Sequence, residues 1–320
     1  MMNEAATHPQ ASQANWVAGP SLVTVTYNSA DVLPDFLTSL VADDCHPSVR
    51  IYMVDNGSTD NTVEIARSFE KKLDITVIPT GSNLGAAGGN NAGIVRAMAD
   101  GAEWILLVNN DTVIPTGTLS GLVQTAVMRG IHILSATIEG TEPKNSVWYC
   151  GGLIHPYQGM KVKHEKMGAP MATAPSGIRT TEYAPSSCLL VHHRVFQDVG
   201  ALDEDFFVYF EDVDFAIRAK AAGFDYWISG EHKITHKASS LTGGYLSPFT
   251  VHSISKNWVF VARKRCSTPQ RMSGYAYMQL WMFARMALRR DTWSGFLLRQ
   301  RAFLEGLKAP LTRHGNYIGF

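Results

Sequence analysis

Three carboxylates lie within four positions in the stretch FEDVDF, residues 210–215. On a helix, Glu211 and Asp214 would be one turn apart and share a face, whereas Asp212 would point elsewhere. Acidic residues are common at helix starts because they interact favourably with the helix dipole, so a solvated helix start is the simpler explanation. Against it, aromatic residues crowd the cluster, namely Phe206, Phe207, Tyr209, Phe210 and Phe215. A carboxylate in an apolar setting gains basicity, so the sequence favours a general base.

A second group of polar residues follows a predicted buried strand. The stretch ILLVNND, residues 105–111, begins with four apolar residues and ends in two amides and a carboxylate. Asn and Asp are common turn residues because their side chains bond to nearby backbone, which would explain one such ending. Two other predicted strands end in Thr26-Tyr27-Asn28 and in Asp55-Asn56-Gly57. Ligands bind at the carboxyl ends of parallel strands, so three polar endings together favour a binding site.

A glycine-rich segment, GSNLGAAGGNNAG, spans residues 81–93 between a predicted strand and a predicted helix. Backbone N–H groups at such a helix start can face an anion or a nucleotide when glycines leave them accessible. The segment has no Walker lysine, which argues against ATP hydrolysis, and Gly85, Gly88 and Gly89 do not match a dinucleotide-binding fingerprint. Close packing of the helix explains the glycines equally well.

The elements that must position these residues alternate along the chain. Strands are predicted in residues 22–28, 50–60, 74–80 and 103–111, and helices in residues 31–40, 61–72 and after the glycine-rich segment. This alternation predicts an α/β fold, a mostly parallel Rossmann-like sheet with helices on both faces. Residues 145–182 contain several Gly and Pro residues without a clear period, which predicts an irregular, flap-like segment. From Asn257 onward the pattern predicts helices with many Arg and few acids.

Composition and charge limit the kind of protein. The 320 residues are 45% hydrophobic and 18% charged, as in soluble globular proteins. Residues 251–320 contain 12 Lys and Arg against 2 Asp and Glu, although the whole chain has a net charge of zero. A basic segment suggests an anionic partner, either membrane lipid or nucleic acid. We predict a disordered tail at residues 1–19, a main domain at 20–250 and a basic helical C-terminal region at 251–320.

The chain shows no sign of export or of a membrane span. Residues 1–19 lack the apolar core of a signal peptide, and no window reaches the 18 apolar residues of a spanning helix. The four cysteines include no CxxC pair and are predicted to be buried thiols in a reducing compartment. These features predict a cytoplasmic protein.

Together, the motifs resemble the family 2 inverting glycosyltransferases of the GT-A fold, in particular the rhamnosyltransferase-like branch. The resemblance covers residues 20–240 in family order, and VDNGSTD and FFVYFEDVD are highly specific jointly. The matching stretches are VTVTYNS at 23–29, VDNGSTD at 54–60, NLGAAGGNNAG at 83–93, LVNND at 107–111, FFVYFEDVDFAIRAKAAGF at 206–224, and the later His236. The resemblance implies that residues 20–250 form a GT-A catalytic domain, followed by a C-terminal helical extension.

The resemblance also implies a metal site at the end of the fourth strand. In this family that strand ends in a DxD-type motif, which holds a divalent cation on the diphosphate of a sugar nucleotide. Here the motif is Asn109-Asn110-Asp111, so Asp111 is the implied ligand, and the missing carboxylates imply weaker binding. His236 lies 24 residues after Asp212, close to the spacing of a metal-binding His in the family's galactofuranosyltransferases. Mg²⁺ suits a site with few protein ligands, and an imidazole ligand makes Mn²⁺ equally suitable.

The remaining site residues take their roles from the same resemblance. Asp55 is the implied partner of the pyrimidine N–H of UDP or dTDP. Asp212 is the implied catalytic base of the ED motif, and Glu211 would orient the acceptor. The full set of implied donor-binding residues is Thr26, Tyr27, Asn28, Asp55, Asn83, Gly85, Gly88, Gly89, Asn109, Asn110 and Asp111.

The implied reaction moves a sugar, with rhamnose as the first choice, from a dTDP- or UDP-linked donor. The acceptor would be a hydroxyl of a glycan or of a polyprenyl-diphosphate-linked glycan in cell-envelope polysaccharide synthesis. The basic region at 251–320 would then contact the inner face of the membrane and not nucleic acid, with homo-oligomer formation left open.

Two alternatives stay open at this point. A sugar nucleotidyltransferase would carry a basic, Gly-rich loop directly after the first strand, where TYNSADVLP has no Lys or Arg. A catalytically weak protein that binds a sugar nucleotide or a glycan is favoured only by the Asn-Asn-Asp motif.

Overall fold

The computed structural model describes residues 19–43, 45, 48–237 and 246–311. The predicted disordered tail, residues 1–19, lies outside this range except for Gly19, and so do residues 312–320 of the predicted basic region. Within the range, ten strands form one mixed sheet and two more form a separate hairpin.

The strands of the sheet come from most of the chain before residue 237. They are β1 (Ser21–Thr26), β2 (Arg50–Asp55), β3 (Asp74–Pro79), β4 (Trp104–Val108), β5 (Thr112–Val113), β6 (Ile133–Gly140), β7 (Ser146–Tyr149), β10 (Ile178–Thr181), β11 (Cys188–His192) and β12 (Tyr226–His236), and the hairpin strands are β8 (Gly152–His155) and β9 (Lys161–His164). The sheet order is β10-β12-β6-β11-β4-β1-β2-β3, with β5 paired to β12 and β7 paired to β6.

The first helices alternate with strands along the chain, and the last three follow the last strand. They are α1 (Leu33–Val41), α2 (Thr62–Ser68), α3 (Gly85–Ala99), α4 (Thr118–Arg129), α5 (His193–Val199), α6 (Glu211–Ala221), α7 (Pro248–Arg265), α8 (Thr268–Ala287) and α9 (Trp293–Lys308). The helix predicted over residues 61–72 ends early, at Ser68. Gly223, two residues after the end of α6, has a φ of 89°, a conformation that glycine adopts without strain.

The first four long strands form the parallel half of the sheet. β1 pairs in parallel with β2 and β4, and β2 pairs in parallel with β3. All of β4 and nearly all of β2 are buried, as expected where both faces of a parallel sheet are covered. The α/β prediction is therefore confirmed, and the carboxyl ends of β1, β2 and β4 lie along one edge.

Residues 145–182, predicted to be irregular, contain four short strands separated by turns and loops. β7 pairs with β6, β8 pairs with β9, and β10 pairs with β12. The sequence does not reveal these strands because each has only four residues, too few to show a period of two. β10 also pairs with a strand, β12, that comes much later in the chain.

The C-terminal helices α7, α8 and α9 pack together around a separate apolar cluster. Its buried members are Trp258, Val259, Ala262, Met278, Met282, Phe296 and Phe303. Phe210, the residue before α6, packs against the same cluster, so these helices adjoin the acidic helix start. Of the helices in the described ranges, none is both long enough and apolar enough to cross a bilayer.

Candidate active site

Asp55 is the last residue of β2, and its carboxylate holds the turn that follows. Its oxygens accept hydrogen bonds from the Ser58 N–H at 3.2 and 3.4 Å and from the Thr26 hydroxyl at 3.3 Å. Thr26 is directly opposite on β1, so two predicted donor-binding residues meet at neighbouring strand ends. Tyr27 follows with 45% of its surface exposed, and its ring is accessible for stacking on a flat base.

Two exposed amides, Asn28 and Asn83, organise the backbone around Asp55. Asn28 has a φ of 48°, and its side-chain oxygen accepts the Thr59 N–H at 2.8 Å. The side-chain oxygen of Asn83 accepts the Gly85 N–H at 2.9 Å, at the start of α3. Both residues therefore shape the turns at this edge, and their exposure leaves them accessible to a ligand.

The glycines of α3 allow the helix to approach its neighbours closely. A Cβ at Gly85 would collide with the Phe207 carbonyl oxygen, and a Cβ at Gly89 would lie 2.7 Å from Val25. At Gly88, a Cβ would lie 2.8 Å from the side chain of Leu84, the residue before α3. These contacts favour the packing explanation for the glycine-rich segment over direct contact of Gly85, Gly88 and Gly89 with a nucleotide.

Asn110 is buried, in contrast to the donor contact expected for it. Its Nδ2 donates to the Val25 carbonyl oxygen at 2.6 Å and to the Ser29 hydroxyl at 3.2 Å. The residue is 1% exposed. Its amide therefore fastens the end of β4 to the end of β1, and this structural role replaces the predicted contact with the donor.

Asp111 and His236, which the sequence assigns to one cation, lie side by side. His236 is the last residue of β12 and pairs with β5, the strand that directly follows Asp111. Its Nε2 is 3.0 Å from Asp111 Oδ1 and 3.3 Å from Asn109 Nδ2. Both side chains of the pair are only 5% exposed. The polar sequence around His236 predicts a solvated residue, and strand pairing is what buries it.

The carboxylate of Asp111 and the imidazole of His236 fit a divalent cation that is also bound by a diphosphate. Adjacent ligands about 2.1 Å from an octahedral ion are about 3 Å apart, as the carboxylate oxygen and imidazole nitrogen are here. Throughout the described residues, no group of three or more His, Cys, Asp or Glu side chains could hold a metal ion. A cation at Asp111 and His236 would therefore complete its coordination with phosphate and water oxygens.

A turn formed by Ser186 and Ser187 connects the Asp111–His236 pair to the acidic start of α6. The backbone N–H of Asn109 donates to the Ser187 carbonyl oxygen at 3.3 Å, and the backbone N–H of Ser186 donates to the Asp212 carboxylate. These two serines precede β11, and the antiparallel pairing of β11 with β4 brings them beside the end of β4. Asp212 therefore lies at the same edge as Asp111, although the two are remote in sequence.

Glu211 and Asp212 are neighbouring carboxyl groups with different surroundings. Burial, together with the charge of Asp212, raises the pKa of Glu211 well above its usual range. Burial also raises the pKa of Asp212, but three donors oppose that rise: the Tyr183 hydroxyl at 2.8 Å, the Val213 N–H at 2.8 Å and the Ser186 N–H. Glu211 is buried and Asp212 is partly exposed. The pair therefore favours a protonated Glu211 beside an ionised Asp212.

Asp214, the third carboxylate of the cluster, is fully buried and paired with two arginines. Its oxygens lie 2.7 Å from Arg218 Nε on α6 and 2.6 Å from Arg265 Nε on α7. The two guanidinium groups provide partners for both oxygens of this buried carboxylate. Asp214 therefore joins α6 to α7 and takes no direct part in the candidate site.

Three ring-bearing residues that sequence reasoning missed connect the two halves of the site. The Trp148 ring packs edge-on against His236, with centroids 4.8 Å apart, and against His164 at 5.1 Å. His164 in turn stacks on Tyr183 at 5.9 Å, and Tyr183 donates to Asp212. Trp148 and His164 lie on β7 and β9, within the segment predicted to be irregular. The only signal in the sequence was the presence of aromatic and His residues there.

Comparison with known proteins gives a family match over part of the chain and relatives that cover most of it. Residues 21–175 match the model of Glycosyl transferase family 2. An N-acetylglucosaminyl-diphospho-decaprenol L-rhamnosyltransferase of Mycobacterium tuberculosis is 29% identical over 297 residues, which cover 84% of this chain and 94% of that protein.

Solved structures with the same architecture are more distant in sequence. S. aureus TarS 1–349 in complex with UDP-GlcNAc matches with a TM-score of 0.59 and 15% identity, covering 91% of this chain and 81% of that chain. GalNAc-T7 with UDP, GalNAc and Mn²⁺ matches with a TM-score of 0.60 and 14% identity, covering 77% of this chain and 48% of that chain. At these identities the likeness establishes the shared fold alone.

Proposed function

Because residues 21–175 match glycosyltransferase family 2, we propose that this chain is a member of that family with the GT-A fold and that it transfers a sugar from a nucleoside diphosphate to a hydroxyl of a lipid-linked glycan. The anomeric carbon is inverted in the proposed reaction. The observation that carries the proposal is the carboxyl pair Glu211 and Asp212, because their surroundings favour one ionised and one protonated group. A single ionised, partly exposed carboxylate is what deprotonation of an acceptor hydroxyl requires.

In the proposed reaction, Asp212 accepts the proton of the acceptor hydroxyl as that oxygen attacks the anomeric carbon. The nucleoside diphosphate leaves from the opposite face, so no covalent enzyme intermediate is formed. Glu211, kept neutral by burial, donates a hydrogen bond that orients the acceptor. Its Oε2 is buried and has no hydrogen-bonding partner among the described residues, so a bound acceptor would supply the partner that these residues do not.

We assign the donor nucleotide to the edge formed by β1 and β2. Asp55 accepts the pyrimidine N–H of UDP or dTDP, and the exposed Tyr27 stacks on the base. Thr26 bonds to Asp55, and Asn28 holds the neighbouring turn through the Thr59 N–H. Asn83, exposed at the start of α3, lies beside the nucleotide. The sugar is proposed to be rhamnose, in keeping with the name of the mycobacterial relative, and that name also motivates the polyprenyl-diphosphate-linked acceptor in envelope glycan synthesis.

Asp111 and His236 are the residues proposed to hold Mg²⁺ or Mn²⁺. A cation bound there supplies positive charge to the diphosphate leaving group. The exposed Asn109, 3.3 Å from His236 Nε2, bonds to the same diphosphate. This assignment is supported by the separation of the two ligands and by their burial at the edge that also carries Asp212.

The proposal is tested by a screen of sugar nucleotides with nucleotide release as the readout. Purified protein is incubated with dTDP-rhamnose, UDP-galactose, UDP-galactofuranose, UDP-glucose and UDP-N-acetylglucosamine, with a polyprenyl-diphosphate-linked N-acetylglucosamine acceptor present or absent. Acceptor-dependent release of a nucleoside diphosphate is the expected result. Release of a nucleoside triphosphate in the presence of pyrophosphate would indicate a nucleotidyltransferase instead. Saturable donor binding without turnover would indicate a binding protein.

We predict that Tyr183→Phe moves the acid limb of the pH–kcat profile to higher pH. The Tyr183 hydroxyl stabilises the ionised form of Asp212 and so lowers the pKa of Asp212. Without this donor the Asp212 pKa rises further, and the base becomes protonated at a higher pH. Burial raises the pKa of Tyr183 itself well above its usual range, so the phenol remains a donor at every working pH. Kinetics at saturating substrate across pH 5 to 9 measure the effect.

The matched control is Tyr226→Phe. The Tyr226 hydroxyl is also buried and has no hydrogen-bonding partner among the described residues. Its removal is expected to leave the acid limb in place. An unchanged profile in Tyr183→Phe would show that the residue does not tune the base.

The C-terminal helices carry an exposed apolar surface that we propose to contact the membrane. Phe283 on α8 and Trp293 on α9 both pack against Phe296, with centroids 5.2 and 5.5 Å apart, so their exposed parts are neighbours. Leu280 and Leu297 continue this surface on the two helices and are 70% and 49% exposed. Aromatic and aliphatic side chains in this arrangement suit the headgroup region of a bilayer.

Two exposed arginines, Arg289 and Arg290, lie in the turn between α8 and α9 and border the same surface. Arg299 does not belong to it, because it is buried and pairs with Asp291 at 2.7 Å. The alternative to a membrane contact is that the apolar residues pack on the catalytic domain or in a dimer interface and that the arginines are solvated. The proposed placement would bring the enzyme to the inner leaflet, where a lipid-linked acceptor would be found.

We predict that the double variant Arg289→Gln/Arg290→Gln binds anionic vesicles about 30-fold more weakly, since each basic residue near such a surface contributes about 1 kcal/mol. Co-sedimentation with phosphatidylglycerol-containing and pure phosphatidylcholine vesicles, at low and high salt, measures this. Arg67→Gln/Arg129→Gln removes two exposed arginines from α2 and α4 and is the control. Equal recovery on both vesicle types, or none, would contradict the membrane contact. A shift of apparent mass in solution would then favour a homo-oligomer.

A further inference from the structure

The turn that directly precedes Glu211 and Asp212 has an unfavourable backbone conformation. Tyr209 and Phe210 have φ angles of 66° and 72°, in the left-handed region that residues with a Cβ rarely adopt. Phe210 directly precedes α6, and no side chain caps the helix there. Helices usually begin after an extended residue whose side chain bonds the first free N–H groups. The position of Asp212 therefore depends on a turn that its own sequence does not stabilise.

Two side chains from α7 contact this turn: Asn257 bonds to its backbone, and Thr250 Oγ1 lies 3.3 Å from the Tyr209 hydroxyl. Asn257 Nδ2 donates to the Val208 carbonyl oxygen at 2.9 Å and to the Tyr209 carbonyl oxygen at 3.0 Å. Asn257 is buried, so water cannot easily replace either bond. Each bond uses one of the two hydrogens on the amide nitrogen. Leu or Asp at this position would have a similar size but could not donate both hydrogens.

The same segment is held from the opposite side by the start of α3. The Ala86 N–H donates to the Phe207 carbonyl oxygen at 2.7 Å, and Gly85 leaves no room there for a Cβ. Residues 207–210 are therefore fixed between α3, which begins at the edge assigned to the donor, and α7. A shift of this segment would change the distance between the donor and the base.

We propose that Asn257 is a positioning residue, which keeps the turn at residues 208–210 in its left-handed conformation and so sets the position of Asp212 relative to the donor. The inference rests on the proposed function, because it takes Asp212 as the base. It also changes the role of α7, which lies in the C-terminal region. In this proposal α7 helps to position the catalytic base, although Asn257 itself does not touch substrate.

The test compares Asn257→Leu and Asn257→Asp with the wild type. Both are expected to lower kcat by about 10- to 100-fold, because small misplacements of a reacting group have effects of this size. The KM and Kd for the sugar nucleotide should stay near the wild-type values, since the donor edge is unchanged. Ser255→Ala is the matched control. It removes a buried hydroxyl on α7 that, among the described residues, bonds to the Val251 carbonyl oxygen of the same helix at 2.7 Å.

Hydrogen–deuterium exchange provides a readout that does not depend on activity. Peptides that cover residues 206–215 should exchange faster in both Asn257 variants than in Ser255→Ala. Unchanged exchange there would show that Asn257 does not hold the turn, and faster exchange with normal kcat would overturn the positioning role. If the wild type transfers no sugar yet both Asn257 variants exchange faster, the proposed function fails. The role of Asn257 in holding the turn then stands.

A second-site change separates positioning from general packing. Glycine adopts the left-handed conformation without strain, so Asn257→Leu/Tyr209→Gly should recover part of the kcat lost in Asn257→Leu. If Asn257 only filled space, the added glycine would lower stability and recover nothing. Absence of recovery in a folded double variant would therefore count against the proposal.

Discussion

Asp212→Asn is expected to lower kcat by about 10²- to 10⁴-fold, the usual contribution of a positioned general base. The change keeps the shape of the side chain but removes its basicity. Donor affinity should be nearly unaffected, because the proposed nucleotide site lies on β1, β2 and the start of α3. Single-turnover kinetics and donor titration by calorimetry measure the two quantities separately.

Glu211→Gln is the informative comparison for this variant. Burial raises the pKa of Glu211 well above its usual range, so the native side chain is a neutral donor, and Gln can replace that donor. We therefore expect a much smaller loss of kcat than in Asp212→Asn. Asp198→Asn, an exposed carboxylate change on α5, controls for the loss of one charge. More than about a tenth of wild-type turnover in Asp212→Asn would exclude Asp212 as the base and leave Glu211 as the next candidate.

The parallel half of the fold and the strand-end residues could be predicted because their signals are local. β2 and β4 are continuous apolar runs, and the polar residues that follow them appear directly in the sequence. The opening of α6 at Glu211 also follows from the spacing of its side chains. The position of Asp55 at a strand end can be predicted from the end of the apolar run in β2 alone.

The rest of the site depends on contacts between remote segments, which no local pattern contains. His236 looks like a solvated residue in the sequence and becomes buried only because β12 pairs with β5 and β6. Trp148 and His164 lie on four-residue strands that have no visible period. The turn at Tyr209 and Phe210 goes against local preference, since neither residue type favours a left-handed backbone. Its conformation is set by Asn257, a residue much later in the chain.

The glycine-rich segment shows how one sequence pattern can have two explanations. Anion binding and close packing of the helix both predict glycines at these positions. The contacts of Gly85 with Phe207 and of Gly89 with Val25 favour packing. Such contacts fix α3 against the sheet and against the turn before α6, so the segment contributes to the site by placing other residues.

Asp111→Ala is expected to lower activity by about 10²-fold or more at fixed metal concentration and to raise the metal concentration needed for half-maximal rate. The reason is electrostatic, because removal of one preorganised group that offsets charge on a leaving group typically has an effect of about this size. His236→Ala should have a smaller effect, since imidazole contributes no charge. It should also reduce any preference for Mn²⁺ over Mg²⁺, because imidazole suits the softer ion.

Mn²⁺ binding in the presence of UDP, followed by electron paramagnetic resonance, gives a readout besides turnover. His232→Ala is the matched control, because His232 lies on the same strand as His236 but contacts Thr125 on α4 at 3.2 Å. It should leave both metal binding and turnover near wild type. Full activity of the native protein in excess chelator would contradict the metal assignment. Asp111 and His236 would then form a buried hydrogen-bonded pair that closes the edge between β4 and β12, and the positive charge for the leaving group would have to come from elsewhere in the site.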